Sequence, residues 1–408
     1  MGKNVNNGQN IDDLISQLET VLKAKKNLIL QGAPGTGKTY IAKKIAKSLI
    51  GENYEESNQF KIVQFHPSYT YEDFVRGIIV TTDNDGNLTY VPTNKILADF
   101  AKEANDNYVD SHKESLAVNK LNWVREQWSK YKTYLSQEMQ GNEDVKIGNY
   151  ILTGVNPSNI VIGTYNLSDN LIVEAYIARE IDQDKEYTPP YFLKATWTTV
   201  SVFSSYLQEH NQTYQAPSGV LKDKIELKNF ILIIDEINRA NLPMVLGELI
   251  YALEYRGRKV ETLYNVEGDN NIILPPNLYI IGTMNTADRS AGHIDYAIRR
   301  RFAFEYIEPR NIKDEKLQDG ETFDEKLFNS VQKIFDNQTW LSEEFDKRDV
   351  AIGHSYFITH ANPKNGMSRE MRIKYEIRPL LEEYIKDGIL KKEYGGKQIQ
   401  EELNSILK

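Results

Sequence analysis

The sequence contains no cysteine among its 408 residues and only six histidines. Without thiols the chain can form neither a disulfide bond nor a thiolate zinc site, and the histidines lack the spacing of metal ligands. It also lacks any apolar run near the roughly 18 residues that a membrane helix needs, and residues 1–14 contain no apolar signal core. These absences predict a cytoplasmic protein with no membrane segment.

Basic charge is also scarce, because 49 Lys and Arg stand against 58 Asp and Glu and give a net charge of −9. Proteins that coat nucleic acid without sequence preference bind mainly through Lys and Arg at the phosphates. The charge balance therefore argues against that class, although a local basic groove is compatible with it.

Short apolar runs bounded by turn residues predict buried parallel strands. These runs are residues 27–32, 61–68, 229–236, 277–285 and 302–309. An apolar stripe at helical spacing over residues 40–50 follows the first run. The pattern predicts an α/β fold in which a parallel sheet has helices on both faces.

The distance between the second and third runs predicts an insertion, because it far exceeds the dozen or so residues that a crossover needs. We therefore predict a sheet domain in two parts, residues 1–104 and 228–310. Residues 105–227 are predicted to be an inserted α+β module, and residues 311–408 a small helical C-terminal lid.

Residues 32–39 read GAPGTGKT, which matches the phosphate-binding P-loop at every position and lies between a predicted strand and a predicted helix. Its glycines let backbone N–H groups converge on phosphates, its lysine reaches the β- and γ-phosphates, and its threonine binds Mg²⁺. The predicted nucleotide-binding residues are Gly32, Pro34, Gly35, Thr36, Gly37, Lys38 and Thr39. Such a loop does not distinguish GTP from ATP.

The third apolar run ends in two carboxylates, Asp235 and Glu236. A nucleotide hydrolase needs one carboxylate to hold Mg²⁺ and a second to polarise water for in-line attack. We assign Asp235 to the metal, together with Thr39, and Glu236 to the water. Two acids at a strand end can also cap a following helix, but the P-loop favours the hydrolytic interpretation.

Several stretches carry a resemblance to a known family. These stretches are FILIIDEINRANLPMVLGELIYALE, YIIGTMNTADRS, DYAIRRRF, QFHPSYTYEDFVRG, IGHSYF and RPLLEEY. They resemble the AAA+ motor subunit of McrBC-type modification-dependent restriction systems, the McrB GTPase family. The resemblance covers the chain outside residues 105–227. It implies an AAA+ fold, GTP hydrolysis with Mg²⁺, a homo-oligomeric ring expected to be a hexamer, and a McrC-like nuclease partner in anti-phage defence.

The resemblance also implies roles for individual residues. Asn285 occupies the sensor position, where its amide would orient the attacking water, and Asp288 and Arg289 would lie at the subunit edge. Alternatively, Asn285 to Asp288 imitates the N-K-x-D signature of small GTPases, in which Asp288 would bind the nucleotide base, and we therefore include Asp288 among the predicted nucleotide-binding residues. Arg300 and Arg301 occupy the position of the arginine finger that completes a neighbouring subunit's site. A solvated basic helix end is the alternative for these arginines.

Other residues in the resembling stretches have roles that the sequence does not reveal. Arg378 is a candidate for a lid arginine at the γ-phosphate or for a solvated helix residue. For the remainder, packing or loop anchoring is the simpler interpretation: His354, Tyr69, Tyr71, Asp73 and Phe74.

The predicted insert is net acidic and rich in aromatic residues. Restriction-type members often carry an N-terminal domain that recognises modified DNA, and only residues 1–26 precede the first predicted strand. The aromatics fit either a domain core or a pocket that stacks on a flipped base: Trp123, Trp128, Trp197, Tyr187, Tyr191 and Phe192. We expect the insert to recognise a protein partner or to decorate the ring, with base reading as the alternative.

Two further classes share part of this pattern. A MoxR-like ATP-dependent remodelling chaperone would form a similar ring but should not carry MNTADRS. A nucleotide-switched binding module would not need Glu236, Asn285 and the arginine run together.

Overall fold

A computed structural model describes residues 11–82, 88–112, 115–141, 144–181, 193–214, 225–288, 294–336, 340–362, 364 and 366–407. Within these residues, no helix is both long and apolar enough to cross a membrane.

The first part of the chain places a strand, a loop and a helix in direct succession. Its elements are α1 (Ile11–Lys25), β1 (Asn27–Gly32), α2 (Lys38–Ile50), β2 (Phe60–Gln64), α3 (Tyr71–Phe74), β3 (Arg76–Thr82), β4 (Leu88–Asn94) and α4 (Ile96–His112). Helix α2 begins at Lys38, directly after the loop, so the loop's backbone N–H groups lie at a helix N-terminus.

The next segment forms an α+β unit with its own core. Its elements are α5 (Ser115–Gly141), β5 (Lys146–Ile147), β6 (Tyr150–Val155), β7 (Asn159–Ile162), β8 (Tyr165–Ser168), α6 (Asp169–Ile181) and α7 (Leu193–Glu209). The strands form an antiparallel sheet in the order β5-β6-β7-β8. Trp128 is buried in this core with Phe203, and Trp123 and Trp197 pack against it, whereas Tyr187, Tyr191 and Phe192 lie outside the described residues.

The predicted boundary at residue 104 falls inside α4, which continues to His112. Asn107 ties this part of the helix to the sheet domain, because its side chain accepts from the Lys228 backbone N–H at 2.9 Å and donates to the Glu226 carbonyl at 3.0 Å. The two ends of the insert therefore meet beside Asn107.

The chain then returns to the sheet domain. Its elements are β9 (Phe230–Asp235), α8 (Leu242–Leu246), α9 (Leu249–Glu254), β10 (Lys259–Val266), β11 (Asp269–Ile273), β12 (Leu278–Asn285), α10 (Tyr296–Arg299) and β13 (Ala303–Tyr306). Strands β10 and β11 form an antiparallel hairpin, as do β3 and β4.

The main sheet is parallel and has the order β13-β1-β12-β9-β2. Its register pairs Gly32 with Asn285 and Gln64 with Asp235. Because the carboxyl ends of parallel strands meet at one edge of a sheet, the P-loop, Asp235 and Asn285 lie side by side.

Both faces of this sheet are buried. Leu28 and Leu30 of β1 pack with Ile41 of α2, whereas Ile29 packs in a second core with Phe100 of α4. Strands covered on both faces read as continuous apolar runs, which is why the sequence predicted them. The predicted α/β fold, a parallel sheet flanked by helices, is confirmed.

The C-terminal part has a separate core that includes Phe328, Phe335, Phe357 and Leu381. Its elements are β14 (Glu321–Phe323), α11 (Glu325–Gln332), α12 (Lys347–Val350), β15 (Ile358–His360), α13 (Arg369–Arg372), α14 (Arg378–Lys386), β16 (Glu393–Tyr394), β17 (Lys397–Gln398) and α15 (Ile399–Ile406). A π-helical turn over Ile373–Ile377 joins α13 to α14.

Candidate nucleotide-binding site

The P-loop turns on glycines in left-handed conformations. Gly35 has a φ of 76° and Gly37 a φ of 82°, which a residue with a Cβ adopts only with strain. Thr36 closes the turn by donating its hydroxyl to the Ala33 carbonyl at 3.0 Å. The sequence therefore folds this loop locally into a cradle of backbone N–H groups that leads into α2.

Lys38 lies buried inside this cradle. Its Nζ donates to the carbonyls of Gly32 at 2.9 Å and Ala33 at 2.8 Å. Burial lowers the pKa of Lys38 to about 8, although the nearby carboxylates of Glu236 and Asp235 act in the opposite direction. The ammonium group of Lys38 thus lies among the backbone groups of the P-loop and close to Asp235 and Glu236.

Asp235 joins the P-loop helix to the strand at its side. Its Oδ1 accepts from the Thr39 hydroxyl at 2.8 Å and from the Thr283 hydroxyl at 2.5 Å. A hydroxyl and a carboxylate are hard oxygen donors, and Mg²⁺ is commonly held by one or two such groups together with phosphates and water. Thr39 and Asp235 therefore fit a magnesium ion.

Thr283 is a site residue that the sequence analysis missed. Besides contacting Asp235, its hydroxyl accepts from the Glu236 backbone N–H at 3.1 Å. The pairing of Gly282 with Ile234 places it next to Asp235 on the adjacent strand. Its position two residues before Asn285 on one strand was the available signal, since alternate residues share a face.

Glu236 has a φ of 54° and a ψ of 44°, an unusual left-handed conformation for a residue with a long side chain. Its carboxylate contacts Arg239 at 3.3 Å, and Arg239 also contacts Asp288 at 3.4 Å. Backbone strain of this kind occurs preferentially at functional sites. Arg239 was not singled out in the sequence, yet it bridges two residues that were.

Asn285 ends β12 beside the P-loop. Its side-chain Oδ1 accepts from the Ala287 backbone N–H at 3.2 Å, and its own carbonyl accepts from Asn238 at 3.3 Å. The structure thus brings Asn285, Asp288 and the two acidic residues to one edge of the sheet. Arg289 lies outside the described residues.

The C-terminal segment 353–356, from the IGHSYF stretch, packs directly on the P-loop. The Gly353 N–H donates to the Pro34 carbonyl at 2.9 Å, and the Ser355 N–H donates to the Gly35 carbonyl at 3.0 Å. A Cβ on Gly353 would lie 1.9 Å from the Gly35 carbonyl carbon, so only glycine fits here.

His354 is buried at this contact. Its Nε2 would lie 3.4 Å from a Cβ on Gly37, and its Nδ1 has no hydrogen-bond partner among the described residues. Burial, with a smaller contribution from the Arg310 charge, lowers the pKa of His354 to about 3. The imidazole is therefore neutral at physiological pH and adjoins the phosphate-binding loop.

The three arginines after α10 have different environments. Arg299 lies over the Phe304 ring at 5.1 Å. The Arg301 side chain is 10% exposed and contacts Glu254 at 3.2 Å, whereas the Arg300 side chain is 63% exposed and contacts the same carboxylate at 2.8 Å. Of the two candidate finger residues, Arg300 is thus the one whose side chain is exposed to a neighbouring molecule.

The remaining predicted residues lie away from the P-loop chemistry. Phe74 is fully buried, Tyr69 stacks on Phe65, and Tyr71 donates to Glu248 at 2.6 Å. Asp73 caps α3 in a reciprocal arrangement with Thr70. Arg378 donates to Asn404 at 3.1 Å within the C-terminal domain, which supports a structural role.

Comparisons with known proteins agree with this geometry. The family model "AAA domain (dynein-related subfamily)" matches residues 27–114 and 176–302, more than half of the chain, and the model "McrB, alpha-helical lid domain" matches residues 337–391. The first of these matches contains the P-loop, Asp235, Thr283 and Asn285, and the second contains His354.

Two curated restriction proteins are similar to the chain. The Type IV methyl-directed restriction enzyme EcoKMcrB subunit of Escherichia coli (strain K12) is 28% identical over 398 residues, which cover 92% of this chain and 58% of that protein. The Type II restriction enzyme BsuMI component YdiS of Bacillus subtilis (strain 168) is 40% identical over 94 residues, or 20% of this chain and 27% of that protein. The chain thus spans little more than half of the first relative and about a quarter of the second.

The folded P-loop with its two carboxylates is that of a nucleoside triphosphatase, and the chain belongs to the dynein-related AAA family as a McrB-family AAA+ protein.

Proposed function

We propose that the chain is a GTP-hydrolysing motor that assembles into a homo-oligomeric ring and powers a McrC-like nuclease in the restriction of foreign or modified DNA. The observation that carries the hydrolytic part is the placement of Asp235 and Glu236 beside Lys38 and Thr39. The restriction part is supported by the two relatives, both of which are named as components of restriction enzymes.

In the proposed reaction, the loop's backbone N–H groups and Lys38 bind the phosphates, which compensates their charge before any bond changes. Thr39 and Asp235 would hold Mg²⁺, which neutralises phosphate charge when bound. Glu236 accepts a proton from the attacking water, whose oxygen forms a bond to the γ-phosphorus as the bond to the leaving β-phosphate oxygen breaks. Asn285 orients that water.

We assign Asp288 to the catalytic edge rather than to the nucleotide base. Arg239 contacts both Asp288 and Glu236, so Asp288 lies on the side of the water-activating residue. This arrangement favours the sensor interpretation of MNTAD over the N-K-x-D interpretation. GTP as substrate therefore rests on the family resemblance.

We assign the arginine finger to Arg300, because its side chain is exposed while that of Arg301 is nearly buried in its own subunit. A finger stabilises transition-state charge in the adjacent site and is worth about 10³- to 10⁵-fold in rate. Hydrolysis by this route requires a ring or another oligomer in which each subunit supplies Arg300 to the next.

The test is turnover of purified protein with GTP and with ATP, alone and with a McrC-like nuclease subunit. Lys38→Ala should lose nucleotide binding, whereas Glu236→Gln should bind and not hydrolyse, because only the first removes a phosphate ligand. Equal loss of binding in both variants would contradict these roles. ATP-specific turnover would support the remodelling chaperone instead, and negligible turnover would support the nucleotide-switched module.

A further inference from the structure

Glu254 contacts both candidate finger arginines; it ends the stretch FILIIDEINRANLPMVLGELIYALE, in which the resemblance assigned it no role. It is the last residue of α9, far along the chain from α10. One oxygen, Oε2, accepts from Arg300 Nη2 at 2.8 Å and contacts Arg301 Nη2 at 3.2 Å. A single carboxylate oxygen therefore joins the two guanidinium groups.

The two arginines are held to different degrees. Arg301 is fixed, because its Nη1 donates to the Ala297 carbonyl at 2.6 Å and its own carbonyl accepts from Asn27 at 2.9 Å. Arg300 is anchored through its backbone, where its carbonyl accepts from Lys25 Nζ at 2.8 Å, while its side chain is largely exposed. Arg301 thus holds the carboxylate in place, and the carboxylate holds the exposed guanidinium.

We propose that Glu254 is a positioning residue for the arginine finger: anchored by Arg301, it orients the Arg300 guanidinium toward the phosphates bound by a neighbouring subunit. The inference rests on the proposed function, in which Arg300 acts between subunits. A long arginine side chain loses substantial rotamer freedom when it is fixed, and holding it beforehand reduces that loss at the moment of reaction.

The contact is also suited to release. The pair is partly exposed, with Glu254 at 35% and Arg300 at 63%, and exposed ion pairs are weak. A phosphate group offers several charged oxygens and binds guanidinium groups through two parallel hydrogen bonds. A bound phosphate can therefore replace Glu254 as the partner of the Arg300 guanidinium, because breaking the exposed Arg300–Glu254 pair costs little free energy.

The experiment uses mixed subunits, so that the finger and the hydrolysing site belong to different chains. Acceptor subunits carry Arg300→Ala, which leaves their own site intact but gives no finger. Donor subunits carry Lys38→Ala, which abolishes their own hydrolysis but retains Arg300. Mixing the two should restore GTP turnover at the acceptor sites, and donors with Lys38→Ala and Arg300→Ala together should not.

Donors carrying Lys38→Ala and Glu254→Gln should restore about two- to fivefold less turnover than donors carrying Lys38→Ala alone, the range expected for losing a partly exposed ion pair. The apparent KM should not change, because the acceptor site is the same protein in both mixtures. The matched control donor is Lys38→Ala with Glu261→Gln, since Glu261 is an exposed carboxylate that bonds Asn270 instead. Glu254→Asp is the second variant and should show a similar loss, because it keeps the charge but shortens the side chain, which withdraws the carboxylate from both guanidinium groups.

The outcomes separate the two proposals. If wild-type protein hydrolyses GTP but Lys38→Ala donors restore nothing, the finger acting between subunits is wrong. If these donors restore turnover and the Glu254→Gln or Glu254→Asp donors restore as much or more, the finger stands and the positioning role of Glu254 is refuted.

Discussion

Raising the pH from 7 to 9 should weaken nucleotide binding about tenfold, because the free protein loses the proton on Lys38 over this range. Burial lowers the pKa of Lys38 to about 8. About nine-tenths of the free protein then carries a charged lysine at pH 7, and about one-tenth does so at pH 9. Bound phosphates would keep the lysine charged, so binding above pH 8 must take up a proton.

Loss of the Lys38 proton has opposite effects on nucleotide affinity and on folding stability. The pKa of Lys38 in the folded protein lies below its ordinary value of 10.5, so the unfolded chain binds more protons between about pH 8 and pH 10.5. The free protein therefore gains stability from Lys38 as the pH rises through this window, while its affinity for phosphates falls. The contribution of Lys38 to folding stability therefore has the opposite sign to the predicted loss of affinity.

The assay is isothermal titration of GDP and of ADP in two buffers with different ionisation enthalpies. We expect an uptake of about three-quarters of a proton per nucleotide bound at pH 8.5 and about one-tenth at pH 7. Lys38→Arg is the control, because its guanidinium stays charged and any remaining proton exchange reports the nucleotide itself. An uptake at pH 8.5 no larger than that of Lys38→Arg would show that Lys38 is fully charged in the free protein.

Three further predictions follow from contacts around the site. Thr283→Val should lower kcat with little change in nucleotide affinity and should destabilise the protein by about 1–3 kcal/mol in urea unfolding, because Asp235 loses a 2.5 Å donor and the Glu236 N–H loses its acceptor. Thr283→Ser should retain the kcat and the stability of the wild-type protein, and a normal kcat in the valine variant would contradict the role of Thr283. Gly353→Ala should raise the nucleotide Kd and lower the melting temperature, since its Cβ would overlap the P-loop backbone, whereas Gly141→Ala meets nothing within 4 Å and should change neither. Replacing residues 113–224 with a short Gly/Ser linker should leave basal hydrolysis intact, because Asn107, which precedes the segment, bonds Glu226 and Lys228, which follow it. The replacement should abolish stimulation by a partner, and full stimulation would show that the insert is not the recognition element.

The sequence predicted those parts of the site whose chemistry is local. The P-loop is defined by eight consecutive residues, and its conformation follows from glycines at Gly35 and Gly37. Asp235 and Glu236 could be placed because an apolar strand ends at them. The resemblance added Asn285, which its neighbours in MNTADRS identify but which apolar periodicity alone does not.

The parts that escaped prediction depend on contacts between distant segments. Thr283 acquires its role from the register between β12 and β9, and Glu254 from the way α9 packs beside α10. The difference between Arg300 and Arg301 is one of burial, which adjacent identical residues do not reveal.

The reactive side chains of the site are held by contacts of unequal strength, and this inequality suggests which step each contact controls. Lys38 is buried against the loop carbonyls, so replacing these bonds requires phosphates at the loop itself, where segment 353–356 also packs. Arg239 and Arg300 form partly exposed pairs with Glu236 and Glu254, and such pairs contribute about 0.2–1 kcal/mol. In the proposed ring, a neighbouring subunit would therefore displace the exposed pairs of Arg239 and Arg300 at little cost once nucleotide has filled the loop. Nucleotide binding would then depend on the loop and the C-terminal domain of one subunit, whereas hydrolysis would also require the contacts that this subunit makes with the next subunit of the ring.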